Sequence, residues 1–311
     1  LTPGAHPLHQ LLDAVQSYAV GWQARLGRVG AAMEDEVRAV ISGCLLGLDS
    51  PGTNGSHRAA RVADSSARIV ASAAKAAARA KKMTQRLVET ERGQLKLARS
   101  KRSAALMINA ALRQYRAPNE IGAFLKGPWY DSGQLLMMKF GETSAEWKHM
   151  SLTTTRLLES LQPLETEPES AVAARQRRFE LVAQLPQELA QWLLSLQHDG
   201  EAIDEALGKI EVLHSQVLRG GRLPLEDITP MPLEQQPTAG KPGLSEHLDR
   251  FKEGQWFILS IAGRPPLRAM LALRLDEEQQ LLFTNQAGIK VLKNSFSERS
   301  EEHTSELQSR S

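Results

Sequence analysis

No proline interrupts the chain between His57 and Arg116, and that stretch constrains the fold more than any other. Val62, Ile69, Ala76, Met83, Thr90, Leu97, Ala104 and Ala111 recur every seven residues. Ser66, Ala73, Ala80, Leu87, Gln94, Lys101, Ile108 and Tyr115 follow them by four. This is heptad spacing, imperfect at Gln94 and Lys101, and it predicts one long helix. At 1.5 Å per residue the helix would span about 90 Å, with Gly93 as its weak point. An alanine-rich seam lets helices approach closely, so the stretch is expected to pack inside a helical array rather than to form a leucine-type coiled-coil dimer.

The same stretch is strongly basic. Between Arg58 and Arg116 fifteen Lys and Arg face three acids, Asp64, Glu89 and Glu91, although the formal net charge of the chain is only +2. A run of Arg79, Lys81, Lys82, Arg86, Arg99, Lys101 and Arg102 could present a footprint for nucleic acid or another anionic surface. No aromatic residues are interleaved with it and no DNA-binding motif accompanies it. The preferred expectation is therefore a solvated helix face balanced by acidic neighbours, with nucleic acid a lesser alternative.

Helical periodicity continues on both sides. Leu8, Leu11, Leu12, Val15 and Ala19 predict one helix, and residues 31–46 predict a second. Pro118 ends the long helix. Pro128 is expected in the first turn of the next, with Trp129, Gly133, Leu136, Met137 and Phe140 on one face and Gly141 as its stop. Thr143 and Glu146 are read as a capping box for a helix with Trp147, Met150, Thr154, Leu157 and Leu161 on its inner face. Phe179, Val182, Leu185, Leu189, Trp192, Leu193 and Leu196 mark a further amphipathic helix, and Ile203, Leu207, Ile210 and Val217 the last. Trp129, Trp147 and Trp192 share faces with Leu and Met and are expected to be core anchors.

Gly220 and Gly221 open a proline-rich linker. Beyond it the pattern becomes that of short strands, at 256–261, 267–275, 281–284 and 289–292, with Leu267, Ala269, Leu271, Leu273 and Leu275 on one face. The fold class expected is mainly α: a multi-helix array with one long basic helix, followed by a small C-terminal β module forming a partial barrel or twisted sheet. The domains expected are 1–219 helical, 220–247 linker and 248–298 β module. Residues 299–311 resemble the translation of a sequencing adapter, and the first residue is not Met. The chain is thus expected to be part of a longer protein.

The motifs for chemistry are sparse. No HExxH, GxSxG, phosphate-loop or GxGxxG pattern occurs, and the eight histidines show no metal-ligand spacing. No catalytic residue, metal or cofactor is expected. His149 and His214 are read as structural histidines. The lone Cys44 excludes an intrachain disulfide and suits a reducing cytoplasm, and no run is apolar enough to span a bilayer. One binding motif merits a hypothesis: Arg264-Pro265-Pro266-Leu267-Arg268 has the arginine spacing of the cyclic-dinucleotide-binding PilZ domain. Its usual downstream element is degenerate here, as Asn285-Gln286-Ala287-Gly288 lacks the Ser. Arg264, Arg268 and Asn285 are the candidate ligand-binding residues, and cyclic di-GMP the candidate ligand.

Phe124-Leu125-Lys126-Gly127-Pro128-Trp129, Trp147 after Gly141-Glu142-Thr143-Ser144-Ala145-Glu146, and Leu161-Gln162-Pro163 together resemble a bacterial family known as domain of unknown function 1631. The resemblance runs from about Pro7 to about Ser297. Members of that family are sometimes labelled thymidine phosphorylase, a label that requires a glycine-rich phosphate loop with Lys and Ser that this sequence does not have. The function expected is that of a non-enzymatic cytoplasmic protein, regulatory or scaffolding, acting on an unknown protein partner.

Overall fold

The computed structural model describes residues 7–19, 22, 27–48, 55–163, 171–195, 200–233, 251–259, 266–276, 278 and 280–295. The fold is mainly helical and ends in a small antiparallel sheet, as expected. The chain groups into two compact units: residues 1–91 with 235–311, and residues 92–234. The helix α3 (Gly55–Gln114) runs unbroken through Gly93 and contributes to both.

In the first unit, α1 (Pro7–Ala19) and α2 (Arg28–Leu48) set Leu11, Tyr18, Met33 and Val40 against Val62 and Ile69 of α3. The sheet is a meander of β1 (Trp256–Leu259), β2 (Leu267–Leu275), β3 (Gln280–Thr284) and β4 (Lys290–Ser295), each antiparallel to its neighbour. Alternation along β2 buries Ala269, Leu271 and Leu273, while Leu267 and Leu275 at the ends are half-buried. Ala269 and Leu271 join Phe257, Leu259, Leu281 and Phe283 in one apolar cluster. The register shifts between Leu271 and Leu273, and Leu273, although buried, stands outside that cluster. Phe257 holds the cluster edge-on to Phe251 and Phe283, with centroids 5.2 and 5.9 Å away.

The second unit assembles the end of α3 with α4 (Asn119–Phe124), α5 (Tyr130–Phe140), α6 (Ala145–Ser160), α7 (Ala171–Ser195) and α8 (Gly200–Leu218). Ile108, Leu125, Trp129, Leu136, Met150, Leu157, Leu185, Leu189 and Ile210 form its core. The fully buried Trp129 donates from Nε1 to Thr154 Oγ1 at 2.8 Å, so the indole carries no orphan donor. Trp147 is buried and Trp192 half-buried. Pro128 does not open a simple helix: residues 125–129 form a π-helical segment kinked at Gly127 (φ −104°, ψ −110°). The cap of α6 is one residue later than expected, with Ser144 Oγ, not Thr143, accepting from Trp147 N at 3.1 Å.

Two other expectations are corrected. The heptad seam of α3 is buried towards its ends, at Val62, Ser66, Ile69, Ala104, Ile108 and Ala111, and half-buried at Ala73, Ala80 and Leu87, whereas Ala76, Met83, Thr90, Leu97 and Gln94 are exposed. A straight helix drifts relative to a strict seven-residue repeat, so in the middle the covered line keeps Ala80 and Leu87 of the second series and adds Thr84 and the buried Glu91. The proline-rich stretch is also more than a tether. Residues 220–233 lie along the second unit, where Glu226 and Ala117 exchange backbone hydrogen bonds of 3.1 Å and Asn109 bonds both backbone groups of Met231. Ile228 is buried there so closely against Gly122 that a Cβ on the glycine would lie 2.9 Å from it.

Candidate functional site

One concave feature that brings helix and strand residues together belongs to the first unit. On one side Ala73, Ala76, Ala77 and Ala80 of α3 are too small to fill the space beside the sheet. On the other stand Trp256 of β1, Met270 of β2 and the β3–β4 turn at Asn285 and Gln286, and Tyr18 of α1 also lines the space. The result is a cleft of about 490 Å³ that also takes in Lys81, Thr84 and Gln85. Strand register makes one wall, since Trp256 pairs with Met270 and Met270 with Thr284, placing the three in a row across the sheet.

The turn is built to press on α3. Asn285 Oδ1 accepts from the backbone N–H groups of Ala287 and Ile289, each at 3.0 Å, and so closes the loop on itself. Gly288 has φ +75°, a region where side chains are strained, and a Cβ there would collide with the Ala80 carbonyl oxygen. Two links tie the sheet to the helices. Gln286 Nε2 donates to the Tyr18 carbonyl at 2.7 Å. The buried Glu91 carboxylate accepts from Lys290 Nζ at 2.6 Å and Lys293 Nζ at 2.7 Å. Burial by itself would raise the Glu91 pKa, but the two ammonium groups prevail and hold it below the usual carboxylate range.

Hydrogen bonding at the cleft is incomplete. Thr84 Oγ1 and Gln286 Oε1, both of lining residues, and Thr284 Oγ1 beside them are buried without a hydrogen-bond partner. An unpaired buried polar atom costs about 1–3 kcal/mol, so three at one place mark it as unlike the surrounding core. Tyr18 is pushed up to about 12, first by burial and then by Glu36, whose carboxylate accepts its hydroxyl proton at 2.7 Å. It therefore stays neutral and acts as a wall, not as an acid.

The sequence-derived candidates fare differently. Asn285 lines the cleft, although its side-chain oxygen is engaged in the turn. Arg268 is exposed on β2, two residues before Met270, and Asn285 follows Thr284, the partner of Met270. Both therefore stand at the same end of the sheet. Arg264 lies outside the described residues. Sequence reasoning missed Trp256, Met270, Gln286, Thr84 and Lys81 as a set. The close-spaced alanines at 73, 76, 77 and 80 are the available signal.

The second unit offers one pair with a catalytic look. Ser160 Oγ and His214 Nε2 lie 2.9 Å apart, yet both residues are buried, and His214 Nδ1 has no partner among the described residues. A nucleophile–base pair needs a third group to orient the base and a path for substrate. Burial also lowers the His214 pKa to about 4, which makes it a poor proton acceptor. It is a buried core histidine. Among the described residues no group of His, Cys, Asp and Glu could hold a metal, and no helix is long and apolar enough to cross a membrane.

Compared with known proteins, residues 90–211 match the family model described as protein of unknown function (DUF1631), third domain. No curated protein and no solved structure matched the chain.

Proposed function

Since the chain is a member of the DUF1631 family through residues 90–211, a name that carries no activity, we propose a function from its sites: a non-enzymatic, cytoplasmic regulatory protein whose cleft between α3 and the sheet takes a nucleotide-like ligand. The observation that carries this reading is the coincidence of a cavity with unpaired polar atoms. Trp256 and Met270 offer an apolar wall to a planar base, Gln286 Oε1 is an acceptor without a donor, Thr84 Oγ1 can donate or accept, and Lys81 supplies a cation for an anionic group. Among the described lining residues there is no carboxylate, histidine or cysteine to act as a base beside Lys81 or Thr84, and Tyr18 is held neutral, which supports binding over catalysis. A ligand bridging helix and sheet would stabilise their association, and that is the regulatory output.

The test is a thermal-shift and calorimetric titration of the full chain with ATP, GTP and cyclic di-GMP. Binding is expected to raise the unfolding midpoint, and Gln286→Ala and Lys81→Ala should weaken it at least tenfold while leaving the unliganded midpoint within a few degrees. If none of the three binds at protein concentrations above micromolar, the cleft is a packing gap and the protein acts as a scaffold for a protein partner. A second reading is favoured by Arg268 standing at the same end of the sheet as Asn285: a PilZ-like response to cyclic di-GMP through Arg264, Arg268 and Asn285. Heat with cyclic di-GMP alone, abolished in the Arg264→Ala, Arg268→Ala double variant, would select it. The domain limits at 219, 247 and 298 are likewise proposals. Limited proteolysis cutting first between 234 and 250 would support them.

A further inference from the structure

We infer that the outer face of α3 in the first unit is a docking surface for the phosphate backbone of duplex nucleic acid, bound without regard to sequence. At 3.6 residues per turn, Arg61, Arg68, Lys75, Arg79, Lys82 and Arg86 fall within about 40° of one line along the helix. Every one of them is exposed. The face that α3 buries, through Val62, Ile69, Ala73, Thr84 and Glu91, lies about 140° away by the same geometry. The cations are thus on the free side, and the helix, held from behind, presents them in fixed order.

The sequence led us to expect acidic neighbours that would balance this charge. The structure places none: among the described residues no carboxylate lies within ion-pair distance of any of the six. The nearest acids of the helix itself are Asp64, exposed between Arg61 and Arg68, and Glu89 beyond Arg86. The five cations from Lys75 to Arg86, Lys81 included, have no acid between them. The descending acids of α2 are otherwise engaged, Glu34 with Arg38 at 2.6 Å and Glu36 with Tyr18 and Ser72.

Geometry and composition select the partner. From Arg61 to Arg86 the stripe rises about 38 Å, slightly more than one turn of B-form duplex, ~34 Å. Flanking the line of cations are Ala71 and Ser72, not Leu, Phe or Trp. A helix that lies in a bilayer interface buries large apolar residues beside its basic ones, whereas the exposed Val70 and Met83 of this stretch fall about 150° and about 70° from the line of cations. No aromatic residue is interleaved, which disfavours single strands, whose bases need stacking platforms. What remains is charge neutralisation along a regular polyanion, the sequence-independent mode of duplex binding.

Fluorescence anisotropy of the full chain with a random-sequence duplex of ~30 base pairs tests this. Affinity should fall about five-hundred-fold between 50 and 200 mM salt, as expected for about five neutralised phosphates. Replacing Arg79, Lys82 and Arg86 by Gln should flatten the logarithmic salt slope by about three and weaken binding at least thirtyfold at low salt. A control changing the exposed Arg175, Arg177 and Arg222 to Gln, with the same change in net charge, should stay within about threefold. Circular dichroism should show both variants folded, because all six positions are exposed. No duplex binding at 50 mM salt, or equal loss in both variants, would overturn the inference. So would capture of phosphatidylserine vesicles without duplex binding, which would make the face a bilayer surface.

Discussion

The two units solve the same problem with different materials. In residues 92–234 the core is made of large side chains, Trp129, Leu125, Leu157, Leu185 and Leu189 all fully buried, and its polar groups are mostly paired within it, Trp129 with Thr154 among them. In the unit formed by 1–91 and 235–311, α3 meets the sheet through alanines, a glycine turn, a doubly paired carboxylate and a cavity. Large, complementary side chains secure the core of a bundle. Small side chains and polar links hold less apolar area and leave room for something else to bind. Stability is therefore expected to concentrate in the second unit and ligand response in the first.

The strongest test of that contrast is Trp129→Ala. It removes a fully buried indole and the hydrogen bond that indole gives Thr154, and should cost about 3–5 kcal/mol in denaturant unfolding followed by circular dichroism. A cost below about 1 kcal/mol would mean the bundle is as loosely held as the cleft.

Acid should separate the units by where each begins to weaken. His214, neutral when folded with its pKa lowered to about 4, takes up a proton more readily unfolded, where its pKa is 6.5. Its folding term is therefore favourable at neutral pH and is lost as pH falls from 6.5 towards 4, at up to about 1.4 kcal/mol per pH unit. His214→Leu should remove that slope. Glu91, whose folded pKa lies below its ordinary 4.5, contributes stability above that value and loses it at lower pH. Glu91→Gln leaves Lys290 and Lys293 without their partner. As both lysines are partly exposed, the cost should be about 1–2 kcal/mol, read in sheet-specific hydrogen exchange. Coincident acid transitions in the two units would erase the distinction.

Gly288→Ala probes the turn. Its positive φ and its approach to the Ala80 carbonyl predict a loss of about 1–2 kcal/mol confined to the first unit. No loss would show that the turn can lift from α3 without cost.

How much of this could be read from the chain differs between the units for a physical reason. Amphipathic periodicity reports which residues face a neighbour when that neighbour is continuous, so Leu185, Leu189, Leu193, Ile203 and Ile210 were legible, as were the strands and the alternation of Ala269, Leu271 and Leu273. α3 changes neighbours along its length, and a single heptad phase could not follow the change; hence Ala76 and Met83 were expected inside and are exposed. Ile228 and Met231 were hidden by the prolines around them, which exclude helix but not docking. The cleft joins residues 18, 84, 256 and 286, and no local pattern links positions that far apart.

The smallest effect bears most directly on function. Thr84→Val keeps shape and volume but removes a buried hydroxyl that has no partner. Where a hydroxyl is hydrogen-bonded, the change costs roughly 1 kcal/mol; where it is unpaired, the change should be neutral or stabilising by up to about 1 kcal/mol. The unliganded protein should therefore be unharmed, with its melting point equal or slightly higher, while the shift produced by a bound nucleotide should shrink. Those two readings together identify a polar atom kept for a ligand. If Val instead destabilises the unliganded protein, the hydroxyl is already satisfied, by water or by a rotamer that reaches the backbone, and one of the three reasons for assigning the cleft a polar ligand disappears.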